Sequence, residues 1–417
     1  MIQYNYILLS FLVLFCAGTL GRLILTKLNL RHLRRNGHAV PDELKGFIDE
    51  ATLSRMTHYT EDSSRLTLRE ALTGDAVTLA VVLSGVLPWY AGILDSLHLH
   101  VIVTGLLFLA GPAAIGAVLE IPFDLFRTFV IEKRYGFSTI TLKLWILDLI
   151  KGLAISVIVG TLVVGALLGL MYHAPTAWWI WGWLLFALFQ LFVLWLYPVL
   201  VAPLFNTYEP LKDEELRRKI LALIGKSDFR AREIVQVDAA RRSTHSNAYF
   251  TGLGRTRRIV LYDTLLSSHP HDEILSILAH EIGHWKKKHL LRQLFILESI
   301  SLAAFYVFSR LLNWHALYLT FGFSSPSHHA GILLVSIFAG ALFLFFKPIA
   351  SFIARIYEKE ADRYVLTLTG TTRPLIEALK RLAKNNLTNL FPHPLYAWFF
   401  YSHPPILRRI ALLREVR

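Results

Sequence analysis

The amino-acid sequence predicts a mainly α-helical integral membrane protein, with seven transmembrane helices and a small α+β domain on the cytosolic side. Three observations predict it. The 417 residues are 54% hydrophobic with a mean hydropathy of +0.47, more apolar surface than a soluble core of that length needs, so the excess faces lipid. Seven stretches are long and apolar enough to cross a hydrocarbon layer of about 30 Å, which takes about 20 helical residues. Charged residues alternate between the connecting loops in step with those crossings.

The crossings fall near residues 5–25, 76–96, 100–119, 144–171, 178–200, 292–312 and 331–353. The first resembles a signal peptide only superficially. "MIQYNY" lacks a positive n-region, and Phe15 before Cys16 is too bulky for a typical lipoprotein cleavage site, so it reads as a retained helix. The third contains Gly111 and Pro112, where a helix can break. Connections 97–99, 172–177 and 313–330 hold no Lys, Arg, Asp or Glu, whereas those near 26–75, 120–143 and 201–291 and the tail after 354 hold nearly all of them. The positive-inside rule then places the N-terminus outside and the C-terminus in the cytosol. A bacterial inner membrane and an endoplasmic reticulum membrane both fit.

The net charge of +13 lies in short basic clusters beside apolar runs, which favours a lipid bilayer as partner and argues against nucleic acid. The single cysteine, Cys16, excludes a disulfide within the chain and implies no oxidising compartment. The chain thus divides into helices one to five with their loops (1–200), a cytosolic insertion (201–291), helices six and seven (292–353) and a cytosolic tail (354–417). Within the insertion, "EELRRKILALIGK" reads as an amphipathic helix stopped by Gly225. "EIVQVD" and "RRIVLYD" read as strands, and "NAYFTGLGRTRRIVLYD" as a hairpin turning at Gly252 to Gly254.

The chemistry concentrates in "LAHEIGHWKKKHL", residues 278–290. From Asp272 to His289 there is no proline and one glycine, and Ile274, Leu275, Leu278 and Ile282 form an apolar stripe at helical spacing. His280 and His284 then project from one face, one turn apart, as two imidazole ligands of a tetrahedral zinc do. Glu281 lies on the neighbouring face, where its carboxylate can reach a metal-bound water as general base. A catalytic zinc, one per chain, needs a third protein ligand and an open fourth position.

The extended H-E-x-x-H-x-x-G-x-x-H pattern fails, because Lys287 and Leu290 stand at its last two marked positions. The tail offers "ARIYEKEADRYV" directly after the seventh crossing, with Glu358 and Asp362 at i and i+4 on one face and Glu360 pointing elsewhere. His284 precedes the sixth crossing by about eight residues and Glu358 follows the seventh by about five, roughly 12 and 8 Å along a helix. Both emerge on the cytosolic side at similar depth. The lysines of "HWKKKHLLR" and the aromatics of "WWIWGW" read as interfacial anchors.

"HEIGHW", "EKEAD", "EKRYGFS", "PLFNTYEPL", "HSNAYFTG", "RRIVLYDTLL" and "YSHPP" stand in an order and spacing that resembles the type I CAAX prenyl endopeptidases, integral-membrane zinc metalloproteases of gluzincin type. The resemblance runs from about residue 120 to 410. It implies that His280, His284 and Glu358 bind zinc and that Glu281 activates water. It implies that Asp362 either buttresses a histidine ligand or donates a proton, that Asn247 holds substrate backbone, and that His403 steadies the tetrahedral intermediate. It also implies a helical barrel around a chamber, closed at its cytosolic end by a zincin-like domain. A water-filled interior would account for Asp148, Lys151, Glu298 and Lys347 in or near the crossings; Asp148 and Lys151 could equally pair at i, i+3.

Physically, an extended peptide can add as a strand along "NAYF", at Asn247 and Ala248, and a donor at His403 would stabilise the developing oxyanion. The expectation is therefore a membrane zinc endopeptidase acting on a peptide or protein that is lipidated or hydrophobic, with cleavage near the C-terminus of prenylated CAAX proteins as the family's implication. Two rivals stand: a quality-control zinc protease with no prenyl requirement, and a non-catalytic membrane scaffold or conduit with structural zinc. The last is disfavoured because a structural site closes all four positions, often with cysteine, and Cys16 lies in the first membrane helix.

Overall fold

The computed structural model describes residues 2–227, 229–252 and 257–415. Long apolar helices make up most of it. α1 (Tyr6–Asn36) starts where the Asn5 side chain accepts hydrogen bonds from the Ile7 and Leu8 N–H groups, and α2 (Glu50–Leu83) starts on Asp49, which accepts from Thr52. α3 (Val86–Ser96), α4 (Val101–Phe126), α5 (Leu142–His173) and α6 (Trp178–Leu196) follow. Among the described residues six helices are long and apolar enough to span a membrane, or seven if the bent pair α2–α3 counts as one span. At most 22% of any qualifying window of the six is buried within the protein, so their apolar surface faces lipid or open space between helices.

The expected break in the third crossing is absent, and a break occurs in the second instead. α4 continues through Gly111, Pro112 and Pro122, then through a π turn at Arg127–Ile131 to Arg134. Tyr90 explains part of this: it lies against Gly111, where a Cβ would come within 2.9 Å of its ring, and its hydroxyl donates to the Leu107 carbonyl at 2.9 Å. A neighbouring helix thereby packs against the stretch that the proline weakens and adds a hydrogen bond one residue before the Phe108 carbonyl, which Pro112 leaves without its helical donor. The bend of 60° falls between α2 and α3, where Gly85 takes φ +79°.

The extramembrane part is built on a four-stranded sheet of order β1-β2-β4-β3, with β1 (Tyr208–Pro210), β2 (Glu233–Val237), β3 (Ala248–Thr251) and β4 (Arg258–Tyr262). β3 and β4 are antiparallel, as the hairpin reading requires, while β2 and β4 are parallel. Gly252 has φ +85°, and Gly254, the other end of the expected turn, lies outside the described residues. β3 is an edge strand.

α7 (Glu214–Gly225), capped by Asp213, covers the sheet with Leu216, Ile220, Leu223 and Ile224. These pack against Ile234, Ile259 and Leu261 of the strands and against Ile274, Leu278 and Ile282 of α8 (His271–Lys286). Each fully buried aliphatic side chain contributes about 1.5–3 kcal/mol. α9 (His289–Leu311) and α10 (His328–Thr369, closed by Gly370 at φ +76°) return through the apolar region. Val365 and Leu368 of α10, Leu375 and Leu379 of α11 (Arg373–Asn385) and Ile410 of α12 (Ile406–Glu415) complete the same core.

Two further expectations change. The helix carrying the HEIGH stretch ends at Lys286 instead of reaching His289: the N–H groups of Lys287 and Lys288 bond back to Gly283 and Trp285, Lys288 takes φ +55°, and α9 begins at His289. Lys286, Lys287 and Lys288 are exposed, whereas His289 is buried. Asp148 and Lys151 do not pair. Arg242 takes Asp148 with a two-pronged bond of 2.8 and 3.1 Å, while the Lys151 amine donates to the Leu204 carbonyl. Glu298 accepts from the Gln190 amide at 2.6 Å, and Lys347 is exposed.

Candidate active site

α8 and α10 cross at Gly283. A Cβ there would meet the Ala361 Cα and carbonyl oxygen at 3.0 Å, so only glycine lets the two backbones approach this closely. The crossing brings His280 and His284 of α8 opposite Glu358 of α10. Their ligating atoms all lie within 4.8 Å of one another. Gly283→Ala is expected to push α8 off α10 at a cost of about 1–3 kcal/mol and to weaken metal binding. Metal titration with thermal melting checks this, and an alanine variant with unchanged affinity and stability would remove the close-approach argument.

Inside the cluster the Nε2 atoms of His280 and His284 face each other at 3.1 Å, and Glu358 lies 3.5 Å from the first and 3.2 Å from the second. His280 Nδ1 lies 2.8 Å from Asp362, so it carries the proton and donates. Its Nε2 is then a lone pair aimed into the cluster. Glu358 Oε2 is buried with no hydrogen-bond partner. Facing ring nitrogens and an unsatisfied buried carboxylate oxygen are what a cation between them would resolve, and two imidazoles with one carboxylate are a donor set suited to a divalent metal. The same carboxylates also attract a proton: burial and the neighbouring Arg409 push the His280 pKa down, but Asp362 and Glu358 outweigh them and raise it to about 9, so a metal would take that proton's place on Nε2.

The remaining expected residues are distributed as follows. Glu281 follows His280 on α8 and is half-buried. Asp362 does not join the three ligating groups but backs His280. His403 is exposed, with Nε2 3.3 Å from Glu358 and Nδ1 2.9 Å from the Ser402 hydroxyl. Asn247 directly precedes the edge strand β3 and Ala248 opens it: among the described residues no hydrogen bond joins them to the cluster. The Asn247 side chain accepts from the Ala248 N–H, and its carbonyl accepts from the Tyr262 N–H.

Three residues of the site, Arg409, His289 and Glu360, have no site role in the sequence reading, which has Glu360 only as pointing elsewhere than Glu358. Arg409 of α12 grips Asp362 with Nε at 2.7 Å and Nη2 at 2.6 Å, and its Nη1 lies 3.5 Å from Glu358. His289 and Glu360 lie behind His284. The stretch "EKRYGFS" also acquires a place beside the edge strand. Glu132 accepts from the Tyr59 hydroxyl and meets His245 at 3.2 Å, His245 stacks on Phe137, and the Thr244 N–H donates to the Phe137 carbonyl. This loop therefore anchors the segment that leads into β3.

Residues 29–207 match the family described as CAAX prenyl protease N-terminal, five membrane helices, and residues 210–417 match peptidase family M48. The CAAX prenyl protease 1 homolog of Arabidopsis thaliana is 32% identical over 382 residues, covering 90% of each chain. The chain belongs to the CAAX prenyl protease 1 family of M48 peptidases. CAAX prenyl protease 1 of Saccharomyces cerevisiae is 30% identical over 405 residues, covering 90% of this chain and 89% of its own. The crystal structure of S. mikatae Ste24p superposes with a TM-score of 0.91 at 28% identity, covering 97% of this chain and 98% of the other. Membership of this family makes the chain a multi-pass membrane metallopeptidase, and the cluster on α8 and α10 is its candidate metal site.

Proposed function

We propose that the chain is a zinc endopeptidase with its active site on the cytosolic face of an endoplasmic reticulum or bacterial inner membrane, cleaving near the C-terminus of prenylated CAAX proteins. In this reading all seven apolar segments cross the bilayer and enclose a chamber beneath a zincin-like domain. The observation that carries the reading is the convergence on one point of His280, His284 and Glu358, one of whose buried oxygens has no hydrogen bond. Those three residues would hold zinc, one ion per chain. Bound there, zinc would supply a Lewis acid that polarises the scissile carbonyl and lowers the pKa of water.

This chain's own residues do the rest. Glu281 takes the proton from the attacking water and returns it to the leaving amine. His403, beside Glu358, donates to the carbonyl oxygen as negative charge develops. Asp362 holds His280 in the Nδ1–H tautomer while Arg409 fixes Asp362, and a carboxylate clamped by a guanidinium stays ionised, which suits buttressing and not proton donation. The free edge of β3 pairs with an extended substrate backbone, Asn247 and Ala248 fixing its register.

The test uses purified protein with a farnesylated CAAX peptide and its unprenylated twin. Chelation is expected to abolish cleavage and zinc to restore it, with kcat/KM at least about tenfold higher for the prenylated peptide, equivalent to about 1.4 kcal/mol. Equal turnover of the twins would remove prenyl recognition. Cleavage that survives chelation would remove the metal.

A further inference from the structure

We propose that His289 and Glu360 form a positioning relay that orients His284 toward the metal, a partner to the contact by which Asp362 orients His280. The proposal rests on the reading of His284 as a ligand. His289 Nδ1 lies 2.9 Å from His284 Nδ1, and His289 Nε2 lies 3.0 Å from Glu360 Oε2. A carboxylate only accepts, so His289 Nε2 carries the proton. With one proton on the His289 ring, its Nδ1 accepts, and the His284 Nδ1–H must donate to it. That assignment leaves the His284 Nε2 lone pair facing His280 and Glu358. Metal-binding histidines commonly fix their orientation by donating the second ring N–H to a carboxylate, a carbonyl or water. Here a second imidazole is interposed, and the carboxylate stands behind it.

The relay is built into the fold. His289 is only 2% exposed, stacks on Tyr357 with ring centroids 4.3 Å apart, and sits at the first position of α9. In an unbroken helix its side chain would not meet that of a residue five positions earlier. The left-handed backbone at Lys288 breaks the helix and brings the ring under His284. Arg292, one turn further along α9, holds Glu360 at 3.2 Å. The first histidine beyond the HEIGH stretch thus serves the site without entering the ligand set.

The experiment measures zinc affinity by chelator competition, together with melting of the metal-free protein. His289→Phe keeps an aromatic ring on Tyr357 but removes both polar atoms. It is expected to weaken zinc binding about 10- to 100-fold. His289→Gln, which supplies an acceptor and a donor, is expected to recover part of the loss. Glu360→Ala, at the outer end of the relay, is expected to weaken binding severalfold and provides a second reading if His289→Phe does not fold. A His289→Phe protein with wild-type zinc affinity would overturn the relay. So would a loss of equal size in the phenylalanine and glutamine variants that tracks melting of the metal-free protein, since that is packing alone. A wild-type protein that takes up no zinc would overturn the metal assignment itself and the relay with it.

Discussion

Glu281→Gln is expected to lower peptide hydrolysis by about 10²- to 10⁴-fold while the protein keeps one zinc per chain. The substitution preserves the side chain's shape and removes only the basic oxygen. His280, His284 and Glu358 converge on one point without any contribution from Glu281, so metal affinity should stay near the wild-type value. Metal analysis paired with single-turnover cleavage separates the two effects. A variant that retains even a tenth of the wild-type rate would remove Glu281 from the role of base. A variant that loses zinc in parallel with activity would move it into the metal site.

Arg409→Met is expected to destabilise the metal-free protein by about 3–5 kcal/mol, the usual cost of leaving a buried charge unpaired. Arg409 is 11% exposed and forks onto Asp362, itself 9% exposed, with Glu358 within reach of its third nitrogen. Without the guanidinium, Asp362 keeps only its contact with His280, and Glu358 keeps only its histidine neighbours. A bound metal supplies positive charge at the same place, so the loss in melting temperature should be smaller with zinc than without it. Equal losses in both forms would show that Arg409 acts by packing, and no loss in either would remove it from the charge balance.

The sequence reveals most where the physics is local. Two histidines one turn apart need only a helix to face the same way, and the stripe of Ile274, Leu278 and Ile282 predicts that helix. Glu358 is legible because a charged face directly follows an apolar run, so its depth is set by the membrane. The strands of the hairpin are legible for the same kind of reason, since β-branched and aromatic residues alternate on either side of glycines.

What fails is what depends on neighbours. Pro112 does not break α4, and the nearby Tyr90 supplies both packing and a hydrogen bond beside it, while the actual bend sits at Gly85 between two helices that both read as one apolar run. Asp148 finds Arg242, 94 residues away, instead of the lysine one turn along its own helix. Arg409 is one of 43 basic residues, with nothing in "ILRRI" to mark it, and only the packing of α12 on α11, beside the site, brings it to a carboxylate. His289 is visible as a residue but not as a neighbour of His284, because no proline or glycine announces the break at Lys288.

The most direct test of the account is an anomalous difference map recorded at the zinc absorption edge from crystals of the zinc-loaded protein. One peak per chain is expected, at coordination distances of about 2.0–2.2 Å from the Nε2 atoms of His280 and His284 and from the Glu358 carboxylate. A peak bound by other residues, or full zinc loading with Glu358 outside the coordination sphere, would contradict it.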